Sequence, residues 1–207
     1  MKKSTIITVL CVTACPMLLG LGLWNQLPAE MPVHFDWNGV ANSFASKPVV
    51  VFGLPLFMSA VLGICIFFTM KDPKHENISN KTLGLVLWTV PIISILVNGG
   101  IYAIALGHTI NVVMWTQLFI GILFILLGNY LPKTKQNYTV GIKLPWTLHS
   151  RENWNRTHRF GGYIFILAGF AMIASYFFTM PVVFVAAIIV PVVAVMIYSY
   201  MLYRKGI

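Results

Sequence analysis

Charge is scarce in this chain of 207 residues. Asp, Glu, Lys and Arg make up 9% of the residues, whereas apolar residues make up 58%. A soluble domain carries about 25% charged residues, which keep its surface in water. The composition therefore excludes an ordinary soluble domain and predicts a membrane protein.

Six long segments contain none of these charged residues. Each is near the ~20 residues that a helix needs to cross ~30 Å of hydrocarbon. None shows the polar and apolar alternation of a barrel strand, so helices are predicted. The predicted spans are Thr5–Leu23, Pro48–Met70, Leu83–Gly107, Val112–Leu131, Phe160–Phe178 and Val182–Tyr203. The predicted fold class is all-α, a polytopic bundle of six transmembrane helices.

The absence of ionisable residues within the spans bears on function. Proton and ion pumps generally place such groups deep in the membrane, so an energised transporter is disfavoured. No internal repeat is evident either, which weakens a transporter built from inverted repeats. The main polar groups are Asn98, Gln117 and Asn129. Such amides are expected to hold helices together, and Gly99 is expected to allow close packing.

Cysteine is also sparse, because Cys11, Cys15 and Cys65 are the only three and all lie in predicted spans. We expect packed thiols rather than a disulfide framework. A competing interpretation is that Val12–Cys15 behind a basic amino terminus is a lipoprotein cleavage box, with Cys15 acylated. The apolar run continues to Leu23, which favours a retained helix.

Positive charge is distributed unequally between the two predicted sides of the membrane. Thirteen of the fourteen Lys and Arg residues lie at the two ends of the chain and in the 71–82 and 132–159 loops, whereas the opposite side has only Lys47. Cytoplasmic loops are enriched in Lys and Arg, so both termini and these two loops are predicted to be cytoplasmic. The net charge of +9 thus reflects topology and requires no direct nucleic-acid partner.

The 24–47 loop on the outer side has a pattern of its own. Apolar and polar residues alternate over 33–38, and Asn38-Gly39 supplies a tight turn, so a short extended segment and a turn are predicted. The apolar members are Val33, Phe35 and Trp37, and the polar members are His34, Asp36 and Asn38. Alternation would direct the apolar set toward the bilayer or the bundle, and the polar set toward solvent or a ligand.

His34 and Asp36 leave three interpretations open. They could share a metal ion, although two ligands are too few for an ordinary zinc site. They could be a solvated hydrogen-bonded pair. They could also help to recognise an extracellular peptide, beside an aromatic ledge of Phe35, Trp37 and Phe44.

The 132–159 loop combines six basic residues with Tyr138, Trp146 and Trp154. This composition is typical of a segment at the membrane surface, and equally of a docking surface for a cytosolic partner. His149, Glu152 and His158 do not have the spacing of a helix-borne zinc protease site. Instead, Ser150 is predicted to cap a helix, with Glu152 in its first turn.

A specific motif pattern extends from Gly128 to Arg159. Its elements are Gly128-Asn129, Asn137, Gly141-Ile142, Pro145–Leu148, Trp154 and Arg159. The pattern resembles the signature of the SdpI-type family of bacterial membrane immunity proteins, with Lys143 where related sequences commonly have Arg. The outer loop resembles the amino-terminal module often found with this signature. The matching residues there are Leu27-Pro28, Pro32–Phe35, Asn38-Gly39 and Ser46–Pro48.

The resemblance implies a domain organisation and a function. It implies an amino-terminal module over 1–70, a central helix with its connections over 71–111 and an SdpI-like module over 112–207. It also implies a multi-pass protein of the bacterial cell membrane, without catalytic activity, cofactor or metal. Such a protein protects its producer against a secreted toxic peptide, and some relatives hold a small transcriptional autorepressor at the membrane.

Two sets of site residues follow from this resemblance. The toxin would meet His34, Phe35, Asp36, Trp37 and Asn38. The repressor would meet Asn129, Asn137, Gly141, Lys143, Pro145, Trp146, Thr147, Trp154 and Arg159. The expected partners are thus membrane lipid, the toxin and the repressor. Two other interpretations of the chain's function remain open. One is a membrane enzyme or small-solute transporter that uses His34/Asp36 or His149/Glu152/His158, and the other is a structural subunit of a larger membrane complex.

Overall fold

The computed structural model describes residues 3–178 and 180–207 and is mainly helical. Six of its helices are long and apolar enough to cross a membrane, which confirms the six predicted spans. They are Lys3–Gly22, Val49–Met70, Asn80–Ala105, Val112–Lys133, Arg151–Phe177 and Pro181–Arg204. Which ends face the cytoplasm stays a prediction.

The chain divides into two compact units. The first contains the residues up to Met70 together with Leu83–Val112, and the second contains Lys71–Thr82 together with Val113–Ile207. The 71–82 connector therefore packs with the second unit, although it joins two helices whose main parts lie in the first.

The first unit contains four helices and a small antiparallel sheet. These elements are α1 (Lys3–Ala14), α2 (Pro16–Gly22), β1 (Glu30–Phe35), β2 (Ala41–Ser46), a π-helical turn (Val49–Gly53), α3 (Leu54–Met70) and α4 (Asn80–Ala105). The first span is divided at Cys15, since Pro16 has no N–H to continue the hydrogen-bond ladder. The hairpin makes the outer loop more regular than the predicted extended segment and turn.

The core of the first unit joins the hairpin to the helices. Its buried members are Leu27, Met31, Val50, Val51, Ile101 and Tyr102. Two buried polar contacts tie α4 to the first span. The Tyr102 hydroxyl donates to the Pro16 carbonyl over 3.2 Å, and the Ser94 hydroxyl donates to the Thr13 carbonyl over 2.7 Å. Hydroxyl donors that find a backbone acceptor stabilise helix pairs where water is excluded.

The second unit is built from α5 (Val112–Tyr130), the short helix α6 (Pro145–His149), α7 (Arg151–Phe177) and α8 (Pro181–Arg204). A 3₁₀ turn at Leu131–Lys133 follows α5. The predicted start of α7 is confirmed, because the Ser150 hydroxyl accepts from the Asn153 N–H over 3.1 Å. Glu152 lies in the first turn, where a negative charge favours the helix dipole.

Glycines bring α5 and α7 into backbone contact. A Cβ atom on Gly121 would lie 2.8 Å from the Gly169 carbonyl oxygen, and one on Gly128 would lie 2.7 Å from the Gly162 carbonyl oxygen. These pairs are spaced seven residues apart on each helix, so they repeat along one seam. The expectation of close packing at Gly99 is wrong, because nothing lies within 4 Å of a Cβ atom placed there.

Candidate functional site

The hairpin of the first unit pairs β1 with β2, and Glu30 opposes Ser46 at its base. The register shifts on either side of His34, which marks an irregularity in the ladder. Asp36 closes the turn, because its Oδ1 accepts from the backbone N–H groups of Asn38 (2.9 Å) and Val40 (2.8 Å). An aspartate that bonds the backbone two residues on is the usual start of such a turn.

The structure separates the two polar residues of the predicted toxin site. His34 Nδ1 is paired with Asn42 Oδ1 at 2.6 Å across the sheet, whereas Asp36 is engaged in the turn. His34 and Asp36 thus have different partners. In the described ranges, no three His, Cys, Asp or Glu side chains cluster closely enough to hold a metal ion.

Two aromatic residues of the hairpin, Trp37 and Phe44, are strongly exposed. Strand β1 ends at Phe35, so the alternation expected to reach Trp37 stops two residues earlier. Trp37 lies in the turn and is 66% exposed, and Phe44 on β2 is 56% exposed. Trp37 therefore lies beyond the strand whose alternation was expected to direct it toward the bilayer or the bundle, and that orientation stays a prediction. Asn38, at the tip, is also exposed.

The 132–159 loop of the second unit is a folded structure built around Asn137. This side chain is fully buried, and all of its bonds are local. Its Oδ1 accepts from the N–H groups of Thr139 (2.9 Å) and Val140 (2.6 Å). Its Nδ2 donates to the carbonyls of Lys135 (2.8 Å) and Val140 (2.9 Å). A buried amide with its donors and acceptor satisfied fixes one loop conformation.

Trp154 and His158 on α7 hold this loop from the helix side. The Trp154 Nε1–H donates to the Thr134 carbonyl over 2.7 Å, and the two rings stack with centroids 3.9 Å apart. The Ile142 N–H donates to His158 Nε2, so the ring proton lies on Nδ1 and is donated to the Trp154 carbonyl. Both side chains are fully buried, so the Trp154 ring is enclosed by protein and is not available to contact lipid headgroups.

Gly141 is required where the loop passes over these rings. Its φ of +123° is one that L side chains rarely adopt. A Cβ atom at this position would overlap His158 Nε2 and lie 3.0 Å from the Trp154 ring. The Gly-Ile pair of the motif thus lets the backbone approach the buried pair on α7.

Thr147 and Gln136 fasten α6 to the loop. The buried Thr147 hydroxyl accepts from the Leu144 N–H and lies 2.9 Å from the Ile142 carbonyl oxygen. Gln136 Nε2 donates to the carbonyls of Thr147 (2.9 Å) and Leu148 (2.8 Å). The Pro-Trp-Thr-Leu segment is therefore held at both ends of its single helical turn.

The 71–82 connector binds the same loop. Asp72 Oδ2 accepts from the Tyr138 N–H (2.9 Å) and the Thr139 hydroxyl (2.8 Å), and Lys74 Nζ donates to Gln136 Oε1 (2.8 Å). Burial acts to raise the pKa of Asp72. The hydrogen bonds from the Lys74 N–H, the Thr139 hydroxyl and the Tyr138 N–H outweigh burial and hold this pKa below its ordinary value.

Trp146 begins a polar chain that connects α6, α8 and α7. Its Nε1–H donates to the Ser199 hydroxyl over 2.7 Å, and Ser199 donates to Asn153 Oδ1 over 2.8 Å. Asn153 Nδ2 donates in turn to the Ser199 carbonyl over 3.0 Å. The Trp146 ring packs on Tyr200 and Tyr203. A groove of about 640 Å³ lies beside it, lined by Trp146, His149, Ser150, Tyr203 and Ile207, among others.

The predicted repressor-binding residues fall into two groups in the structure. Asn137, Thr147 and Trp154 lie in the interior of the second unit, and Gly141 lies against its buried rings. The remaining residues are at or near the surface. Those classed as exposed are Asn129, Lys143, Pro145 and Arg159, while Trp146 is partly exposed.

The histidines and the glutamate of the alternative catalytic site do not converge. His158 is bonded to Ile142 and Trp154 in the interior, and Glu152 is exposed and paired with Arg156 at 2.6 Å. His149 is exposed at the end of α6. These side chains have separate surroundings, so no acid–base pair is assembled from them.

Four residues that organise the loop were missed by sequence reasoning: Asp72, Gln136, Asn153 and Ser199. Each makes contacts with residues that are distant in the sequence, and no local motif marks them. One usable signal was the polarity of Ser199, which interrupts an otherwise apolar face of α8, whereas Asn153 lies among other polar residues at the start of α7. Polar residues at such positions in a membrane bundle generally pair with one another.

Comparison with known proteins identifies two regions of the chain. The SdpI/YfhL protein family matches residues 133–199, and a domain of unknown function, DUF1648, matches residues 11–59. The chain is 26% identical over 213 aligned positions to a protein of Bacillus subtilis (strain 168) named "Immunity protein SdpI". The alignment covers 99% of this chain and 98% of that protein. No solved structure matches the chain.

Proposed function

We propose that this chain, whose residues 133–199 match the SdpI/YfhL protein family and which is a multi-pass protein of the cell membrane, protects its host cell against a secreted toxic peptide. The observation that carries the proposal is the similarity to an immunity protein over nearly the full length of both chains. Because the alignment covers 99% of this chain, it includes both the hairpin and the 132–159 loop.

The hairpin of the first unit is the proposed toxin-recognition element. The charge asymmetry predicts that it faces the outside, where a secreted peptide arrives. His34, Phe35, Asp36, Trp37 and Asn38 lie at its distal end, within the β1 strand and the turn. The exposed ring of Trp37 and the ordered turn offer a preformed contact surface, which reduces the ordering cost of binding.

The second part of the proposal is that the 132–159 loop, the predicted inner loop, receives a small transcriptional repressor. The buried residues Asn137, Thr147 and Trp154 shape the loop, and the exposed residues contact the partner. Support comes from the loop's ordered fold and from its basic surface, on which Lys143, Arg151 and Arg159 are exposed. The groove beside Trp146 is the proposed docking position. Such coupling requires that toxin and repressor prefer the same one of two states.

Protection of living cells tests the proposed immunity. The chain is expressed in a toxin-sensitive Gram-positive strain that lacks its own immunity gene, and the cells are challenged with the secreted peptide. Survival well above that of cells with an empty vector is expected. Unchanged killing, with the protein verified in the membrane fraction, contradicts immunity against that peptide.

A further inference from the structure

The β2 strand has an unpaired edge. The sheet of the first unit has two strands, and within the described ranges β2 pairs with β1 alone. Strand β1 is anchored in the core through Met31, which is fully buried. Strand β2 lies farther out, since its residues Asn42, Ser43, Phe44 and Ser46 are exposed. Alternate residues of an antiparallel strand direct their N–H and C=O groups away from the existing partner.

The β2 edge lacks two of the features that normally prevent pairing with another chain, charged side chains and proline, although its register with β1 is irregular near His34. Proteins usually protect an edge strand with charged side chains, proline or an additional covering element. The β2 sequence, Ala41-Asn42-Ser43-Phe44-Ala45-Ser46, contains no charge and no proline. An edge of this composition is suited to accept an extended peptide as a further strand.

The charge around this edge indicates which peptide it suits. The 24–47 loop contains the acids Glu30 and Asp36 and one base, Lys47, although the whole chain has fourteen bases and five acids. The Lys47 ammonium is held at Trp24, because it donates to the Trp24 carbonyl over 2.8 Å and lies 5.2 Å from the centre of the Trp24 ring. Two carboxylates on the hairpin therefore favour a cationic ligand.

We propose that β2 binds a cationic peptide in extended conformation as the third strand of the hairpin sheet. Backbone hydrogen bonds along Ala41–Ser46 supply the affinity, and Phe44 contacts an apolar side chain of the peptide. Glu30 and Asp36 attract its positive charges. This inference rests on the proposed function, because it names the chemistry and the binding mode of the toxin, and its own test below does not use cell survival.

Binding is measured with the full-length chain in nanodiscs of neutral lipid, by calorimetric titration. The probe is a synthetic ten-residue peptide of alternating Lys and Val. Its control has the same side chains but carries N-methyl groups on four consecutive central residues, so that neither edge of the peptide can pair. We expect saturable binding of the probe, a loss of at least about tenfold in affinity for the control, and slower amide hydrogen exchange over 41–46 when the probe is bound.

Matched substitutions place the contact on the edge. Ser43→Lys adds a charge to β2, whereas Gln26→Lys adds the same charge to the outer loop ahead of the hairpin. We expect Ser43→Lys to weaken binding about tenfold more than Gln26→Lys, because edge charges oppose strand addition. Both positions are exposed, and the unfolding temperature of each variant verifies that the fold is intact.

The outcomes separate this inference from the proposed function. No probe binding, equal binding of the N-methylated control, or binding to empty nanodiscs alone would overturn strand addition. Equal binding of the control would indicate recognition by side chains, and binding to empty nanodiscs would indicate a lipid effect. If cells are protected while strand addition fails, immunity stands and this binding mode is wrong. If the edge binds the probe but cells are not protected, strand addition stands and immunity against that peptide is contradicted.

Discussion

The backbone N–H of Ile142 donates to Nε2 of His158 over 2.9 Å, across sixteen residues of chain. This bond links the Gly-Ile pair of the inner loop to a histidine that is fully buried in α7. Since the second ring nitrogen bonds the Trp154 carbonyl, both polar atoms of the ring are satisfied. His158 thus acts as a fixed acceptor for the loop, and the loop and α7 form one packed structure.

His158→Ala should destabilise the second unit strongly. The substitution leaves the Ile142 N–H buried without an acceptor and removes the ring that stacks on Trp154. We expect the free energy of unfolding to fall by about 3 kcal/mol, from the unpaired donor and the cavity together. Thermal unfolding of the purified protein in detergent measures this change. His149→Ala is the matched control, because His149 is exposed, and an equal loss in both variants would contradict the assigned role.

Gly141→Ala should destabilise more than Gly206→Ala. Both glycines have positive φ, +123° and +80°, so both substitutions introduce backbone strain of about 1 kcal/mol. Only Gly141 also lacks space, since its added Cβ would overlap His158. The two unfolding temperatures, measured side by side, separate strain from overlap. Similar temperatures would show that the loop does not press against α7 at this point.

Gly169→Ala should disturb the contact between α5 and α7. The added methyl group would meet the Gly121 carbonyl and lie 2.7 Å from Ile125 Cγ1, and backbone cannot move aside as a flexible side chain does. We expect a loss of about 1–3 kcal/mol from overpacking. Gly99→Ala is the control, because its methyl group meets nothing within 4 Å. The yield of folded protein and its unfolding temperature should fall for Gly169→Ala and stay near wild type for Gly99→Ala.

Asp72 should make the second unit sensitive to acid. Its pKa is lower in the folded protein than the ordinary 3.8, so the ionised carboxylate favours the folded state. This stabilisation is complete above pH 3.8 and is lost as the pH falls through the lowered pKa of the folded state. Asp72→Asn should therefore lower the unfolding temperature at pH 6, and the difference from wild type should shrink as the pH approaches 3. Glu76→Gln, at an exposed position of the same connector, is the control. A difference for Asp72→Asn that is constant with pH would contradict the prediction.

The spans, the Ser150 cap and the hairpin turn follow from local sequence. A span depends on hydropathy over about twenty residues, and a cap depends on residues within one helical turn. The Asn38-Gly39 turn likewise needs only its own neighbours, and Asp36 closes it as such residues do. These features are predictable because their causes lie within a few positions of the residues concerned.

The interior of the second unit was not predictable in the same way. Gly121 meets Gly169, and Asn153 meets Ser199, only after the helices have packed. Trp154 carries the features of a headgroup anchor in sequence, since basic residues surround it. Its burial depends on the loop that returns over it, from Thr134 to Gly141. Trp37 shows a related limit of sequence-based prediction. The alternation of apolar and polar residues continues past Phe35, whereas strand β1 ends there.

The sidedness of the hairpin tests the proposed function most directly, because a toxin outside the cell can meet only an external surface. Single cysteines are introduced at Asn38 in the turn and at Lys135 in the inner loop, in a variant whose three native cysteines are replaced by alanine. A membrane-impermeant maleimide should label the Asn38→Cys chain in intact cells and the Lys135→Cys chain only after permeabilisation. The reverse pattern would place the hairpin inside and contradict toxin recognition at this site.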